Sequence, residues 1–370
     1  MKRVLTWALL GAAALLTAAP EVWNGPVPLP ERNPKSTRTR TEPLYVVTVL
    51  YRNLPFSVNS GTMLSELQKQ YRAAGVQIYG VLGDDLAAVR RFAAEHPDFD
   101  FTLAADPELK TLAALTGGRN NAFSRAAIVN ADGKLLWSGD PVDLGMMLKR
   151  ITLDQYSEHE EAQLAELNTA LQAALRSGNS GLIEQAADRL LAARPEQISA
   201  LNAKAFALEN RRDYRALADF LKKRIRRNPE MPEAWYMLLD LSCRVPELSP
   251  ELAPTAQGYF RQFPEDCAGI NAVVWNLLNN APMQSAALRL AGEGLALLRT
   301  RESSIAPERR SRYLACRALF AYRVGRLETA AELADEAVKT AGSAAEKAYL
   351  GNLADYFRTA LKLAQSAENK

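Results

Sequence analysis

Three Pro-Glu pairs, at Pro195-Glu196, Pro229-Glu230 and Pro264-Glu265, are spaced 34 and 35 residues apart. A fixed period of this length means stacked copies of one supersecondary unit, and no other feature of the chain narrows its fold so much. Proline ends each unit because it cannot donate to the helical ladder and its ring clashes with the preceding turn. Six residues after each proline stands the first large buried residue of the next helix: Leu201, Trp235 and Ile270. From about Tyr156 onward Ala and Leu recur at helical spacing and strand signals vanish. The register predicts helix pairs near 160–195, 196–229, 230–264, 265–300 and 309–342, with a capping helix over 344–364. That makes a repeat domain over 156–364 and a tail over 365–370.

The local sequence AYRVGRLETAAELADEAV at 321–338 places Gly325 at an inter-helix turn, with Ala330 and Ala337 where paired helices touch. Together with the period, this resembles tetratricopeptide repeats. The resemblance implies an α-solenoid whose first helices line a concave groove for a protein or peptide. By that register Asn168, Asn202, Tyr236 and Asn276 are groove-side candidates, since an asparagine can clamp a peptide backbone with donor and acceptor together. Lys204, Ser242 and Arg317 are off-type and 301–308 is an insertion, so the array is an irregular member of the class. The run Lys222, Lys223, Arg224, Ile225, Arg226, Arg227 reads as a solvated second helix. With 45 Lys plus Arg against 42 Asp plus Glu the net charge is only +3, which argues against nucleic acid as a partner.

Ahead of the array the period changes. Leu44 to Tyr51 is a nearly unbroken apolar, β-branched run, as in a strand buried on both faces. A helix is predicted from about Gly61 to Ala74, and Val76 to Leu82 is a second buried strand. Asp84 and Asp85 stand where an N-cap belongs, before a helix carrying Leu86, Val89, Phe92 and Ala93. Phe101 to Ala104 is strand-like, and Asp106-Pro107 opens a helix through Leu115. Ala126 to Val129 and Leu135 to Trp137 flank the turn Asn130-Ala131-Asp132-Gly133, and a last helix runs from about Val142 to Ile151. The chain thus reads as βαβαβα, a β-hairpin and a helix over 44–151, followed by the all-α array.

That order, with YRAAGVQIYGVLGDD at 71–85 and AAIVNADGKLLWSG at 126–139, resembles the thioredoxin-like fold of extracytoplasmic reductases and peroxiredoxins. In that family a Cys-x-x-Cys precedes the first helix. Counting back from Tyr71 puts it at Leu54 to Ser57, and the segment 44–151 contains no cysteine. A thiolate is the nucleophile of both disulfide exchange and peroxide reduction, and an unassisted serine hydroxyl does not replace it. The family's cis-proline falls near Ser124, so Leu54, Ser57 and Ser124 are degenerate active-site positions. The resemblance implies that Phe56, Phe123 and Arg125 line the groove that pairs with a substrate backbone. Asp84, Asp85, Glu95 and His96 read as caps and solvated helix faces.

The first nineteen residues have a basic start (Lys2, Arg3), an uncharged apolar stretch to Leu16, then Thr17, Ala18 and Ala19, the pattern of a secretory signal peptide. Pro20 after Ala19 displaces or blocks cleavage, and an uncleaved segment would be the chain's membrane contact. Residues 20–43 hold six prolines and read as an extended tether. An extracytoplasmic, periplasmic location follows as the expectation. Cys243, Cys267 and Cys316 all lie in the array, the first and third mid-helix as buried thiols, and an odd number cannot all pair within one chain. Two histidines and three cysteines leave little for a metal site, and no cofactor is expected.

The function expected is that of an exported, non-enzymatic interaction or scaffold protein, a redox-inactive thioredoxin-like head on a peptide-binding array. The alternative is a thiol-disulfide oxidoreductase or peroxiredoxin-like enzyme of the cell envelope that uses a cysteine from outside the domain.

Overall fold

The structure, a computed structural model, describes residues 20–29, 42–52, 55–108, 110–116, 126–280 and 285–368. The strands are β1 (Val22–Asn24), β2 (Leu44–Val49), β3 (Val76–Leu82), β4 (Thr102–Ala105), β5 (Ala126–Asn130) and β6 (Leu135–Gly139). They form one mixed sheet in the order β1-β4-β3-β2-β5-β6. The first four in that order run parallel, while β5 pairs antiparallel with β2 and with β6. Helices carry the chain between the parallel strands β2, β3 and β4, while β5 enters antiparallel beside β2 after a further connection that also holds a helix, and a tight turn joins it to β6. There Asn130 accepts at Oδ1 from the backbone N–H of Asp132 and Lys134, and Gly133 takes φ of 70°.

Helices α1 (Pro55–Tyr71), α2 (Leu86–Glu95), α3 (Lys110–Thr116) and α4 (Leu144–Thr152) accompany the sheet. One face packs Leu44, Ile78, Leu103 and Ile128 against Leu64 of α1, Phe92 of α2 and Leu148 of α4. The opposite face packs Val47, Val81 and Ala104 with Val27. Fully apolar strands are what a sheet covered on both sides requires.

Two expectations for this unit change. The tether does not begin at Pro20: β1 lies parallel to β4, the Gly25 N–H donates to the Ala105 carbonyl, and Val27 is buried. A three-residue strand between prolines is too short to carry a period, and it forms because the edge of β4 otherwise exposes unpaired backbone groups. The first helix starts at Pro55 rather than near Gly61, because proline at the first helical position lacks only an N–H that would be unpaired anyway.

The array consists of α5 (Glu158–Ser177), α6 (Ser180–Ala193), α7 (Ile198–Asn210), α8 (Tyr214–Arg227), α9 (Pro232–Arg244) and α10 (Leu252–Gln262). It continues with α11 (Cys267–Asn280), α12 (Ser285–Thr300), α13 (Arg310–Arg323), α14 (Leu327–Thr340) and α15 (Ala344–Glu368). Within each pair the helices pack together, and first helices also stack on first helices, α11 touching both α9 and α13. The turns carry the expected chemistry: Asn179 and Asp213 accept from backbone N–H groups of the following helix, while Gly178 and Gly325 adopt positive φ after α5 and α13. The chain is therefore an α/β domain followed by an all-α solenoid. The insertion over 301–308 holds a short 3-10 turn, Glu302–Ser304, and runs into a second, Pro307–Arg309, that leads into α13. The tail expected from 365 is instead the end of α15, which stays helical to Glu368. Among the described residues, no helix is long and apolar enough to cross a membrane.

Candidate functional site

In the α/β unit, Leu54, Phe123, Ser124 and Arg125 lie outside the described residues. Phe56 and Ser57 occupy the first turn of α1, and their side chains lie outside them as well. The polar residues around this end of the sheet are explained by structure. Asp85 caps α2 by accepting from Ala88 N–H at 2.8 Å, and Asp84 meets Arg52 at 3.3 Å. His96 stacks on Phe99 with ring centroids 4.9 Å apart, and burial lowers its pKa. Among the described residues, no group of three or more His, Cys, Asp or Glu converges as a metal site would require.

In the array the four groove-side candidates separate. Asn168 on α5 is engaged at both ends: its amide donates to the Leu164 carbonyl, and its oxygen accepts from Gln197 Nε2 at 2.8 Å. Tyr236 on α9 turns inward, its hydroxyl 2.7 Å from that of Tyr259, which donates in turn to Asp266 at 2.7 Å. Desolvation raises both tyrosine pKa values. Asn202 is half-buried on α7. Asn276 joins a polar strip across three first helices: Arg244 donates to Glu209 and Asp240, Asn276 donates to Asp240, and Asn280 donates to Asn276. Only Asn276, of the four, sits in a strip that continues from helix to helix.

The residue that follows Asn202 and Tyr236 in the next unit is Asn271, not Asn276; it was missed, and its Oδ1 is buried without a partner. Also missed were Phe206, Asp240 and Trp275, each eleven residues after a unit-ending proline. Phe206 is half exposed, while Asp240 and Trp275 are partly buried. The proline period could have found them, since it fixes equivalent positions on successive first helices. Three off-type residues also acquire reasons. Lys204 lies over the Phe220 ring and pairs with Asp188, Arg317 lies over the Tyr313 ring, and Ser242 donates back to the Leu238 carbonyl. The basic run is not wholly solvated: Arg224 is buried on the core side of α8, as its place three residues after Leu221 dictates.

A second polar assembly, unmarked by any motif, lies where α4 meets the array. Asp143, almost fully buried just before α4, accepts from the Ser199 backbone N–H at 3.0 Å and from Gln197 Nε2 at 3.4 Å. Burial pushes its pKa up to about 6, opposed by the hydrogen bonds from Ser199. Beside it Arg194, also buried, grips Glu161 through both terminal nitrogens and approaches Met147 Sδ at 3.6 Å. Arg150 of α4 reaches Glu160 at 2.7 Å and Glu196 at 3.1 Å. The contacts run from α4 and the turn before it to α5, the end of α6 and the start of α7, and so join the α/β unit to the first two helix pairs.

The three cysteines are unbonded, Cys243 and Cys316 buried and Cys267 half-buried. Burial raises all three thiol pKa values, that of Cys243 to about 12. Burial thus favours the protonated thiol over the thiolate at all three positions.

No protein-family model matches the chain, and no curated protein does. Among solved structures, a protein designated a thiol:disulfide interchange protein DsbE from Chlorobium tepidum is 22% identical with a TM-score of 0.26, covering 32% of this chain and 83% of its own. A protein designated a thioredoxin from Neisseria meningitidis is 16% identical with a TM-score of 0.26, over 30% of this chain and 74% of its own. A thioredoxin-like protein from Parabacteroides distasonis is 12% identical with a TM-score of 0.25, over 35% of this chain and 99% of its own. The fold assignment rests on strand order and helix stacking, which these likenesses accompany and do not carry.

Proposed function

We propose that the chain is an exported, non-enzymatic interaction or scaffold protein of the periplasm, with residues 1–19 as its signal. Its head is a thioredoxin-like unit without redox chemistry, and its tetratricopeptide-like array holds a protein or peptide partner along the first helices. The observation that carries this reading is the absence of any cysteine from 44–151, in the unit whose fold would need one for catalysis. The periodic first-helix surface through Phe206, Asp240 and Trp275 supports the second half, because equivalent positions on stacked helices suit a partner that lies along the stack. Asn276, inside the polar strip, is the groove candidate retained; Asn202 stays as a flanking contact. A chaperone-like role in envelope assembly differs only in the partner.

The competing enzyme would have to use Cys267, the one thiol that is not buried. Insulin reduction and peroxide consumption by the full chain test this directly. Turnover at the uncatalysed rate is expected, and turnover that Cys267→Ser abolishes would establish the enzyme instead. Crosslinking in the native envelope, with Trp275→Ala as the comparison, tests the binding half. A partner captured by the parent chain and lost from the variant is expected; equal capture by both would remove the first-helix surface from the proposal.

A further inference from the structure

The last helix does not end the stack as a cap is expected to. It has 25 residues, where α13 and α14 have 14 each, so it extends about 16 Å past a neighbour of that length at 1.5 Å per residue. One face packs inward through Leu350, Ala354 and Phe357. Another carries Tyr349, Tyr356 and Leu363, which are 56%, 56% and 67% exposed, with Asn352 and Ala360 between them. These five residues form an uncharged stripe whose large members recur every seven residues, the seam of a helix that packs on another helix. A solenoid end needs a polar outer face for solubility, and this stripe has only one polar member besides the tyrosine hydroxyls.

The large residues of the stripe are placed symmetrically about Tyr356. Tyr349 and Leu363 each lie seven residues from it, and Asn352 and Ala360 each lie four. Laid antiparallel on a copy of itself about an axis at Tyr356, the helix sets Tyr349 against Leu363 and Tyr356 against Tyr356. Asn352 then faces Ala360, whose single methyl leaves the amide room to reach water at the edge of the contact. No charge of the stripe is buried, because the stripe carries none. Every other antiparallel register leaves at least one of the three large residues without a large partner. Such self-complementarity is what a two-fold interface demands of a single patch. The rings of the stripe are already held in place: the Tyr356 hydroxyl is 2.8 Å from that of Tyr322, and Tyr349 lies 6.4 Å from Trp275 between ring centroids. We infer that α15 is a homodimer contact, occupied by α15 of a second copy in antiparallel register. A single helix pair is at the small end of specific interfaces, so the dimer dissociates on dilution.

Sedimentation of the purified full chain over a dilution series is the test. A mass of two chains at the concentrated end, falling to one on dilution, is expected. Tyr356→Glu sets two carboxylates together at the axis and is expected to leave one chain throughout, with the helical circular-dichroism signal retained because the ring is 56% exposed and only its edge contacts with Tyr322 and Phe357 are lost. Leu363→Glu is expected to do the same. Adding Tyr349→Lys to Leu363→Glu is expected to restore the dimer, since only this register brings the two new charges together between copies. A parent chain that is monomeric at every concentration, as it would be if a foreign partner covered the stripe, overturns the inference. So does a dimer that survives Tyr356→Glu, or a double variant that stays monomeric.

Discussion

Above the first turn of α11, three oxygens crowd the position a methyl group would take on Gly269. An added Cβ would stand 2.0 Å from the Tyr259 hydroxyl, 2.1 Å from that of Tyr236 and 2.2 Å from Asp266 Oδ2. The glycine is there because the Tyr236–Tyr259–Asp266 chain, which ties α9, α10 and the start of α11 together, needs that space. Gly269→Ala is expected to destabilise the chain by about 2 kcal/mol through overpacking and disrupted hydrogen bonds. Tyr236→Phe, which removes one hydroxyl and adds no bulk, is expected to cost about 1 kcal/mol. Denaturant titrations of both variants check the order. At this scale the sequence was a poor guide to Tyr236. Its place shortly after Pro229 marks a first helix, but whether a tyrosine faces outward or inward depends on a hydroxyl partner 23 residues away.

At the scale of elements, the proline period and the small residues at 330 and 337 predict where helices start, stop and touch, because helix termination and close packing are local demands. The junction between α4, α5 and α7 has no such local mark. Its members come from positions 143, 161, 194, 197 and 199, and only folding brings them together. Asp143 makes this junction sensitive to pH. An acid whose pKa rises from 3.8 unfolded to about 6 folded holds its proton longer in the native state, so its contribution is full below about pH 4 and is lost as pH rises through 6. The loss is on the order of 3 kcal/mol at 1.36 kcal/mol per pKa unit. Urea titrations stepped through this window are expected to show that slope, and Asp143→Asn to flatten it.

For the whole molecule, the junction decides whether the α/β unit and the array behave as one body. Arg194 is 4% exposed and its partner Glu161 is largely covered, so removing one of them leaves a charge stranded out of water. Arg194→Ala is expected to cost about 3 kcal/mol. In calorimetry the parent chain is expected to unfold the α/β unit together with the first helix pair. The variant is expected to separate them into two transitions. A single transition in both would show that the units are coupled elsewhere.

The sequence by itself determined the two-part architecture, the helix-pair boundaries and the absence of cysteine from 44–151. Each of these depends on residue type at short spacing: β-branched runs, prolines at a fixed period, or a cysteine that is not there. Only the tertiary structure decided that Pro20 to Leu29 belongs to the α/β unit, that Asn168 and Tyr236 are spent inside the protein, and that Arg224 is buried. Those outcomes turn on which groups meet across the fold. A polar side chain faces a ligand or a neighbour according to whether a partner from elsewhere in the chain satisfies it first, and no local pattern records that.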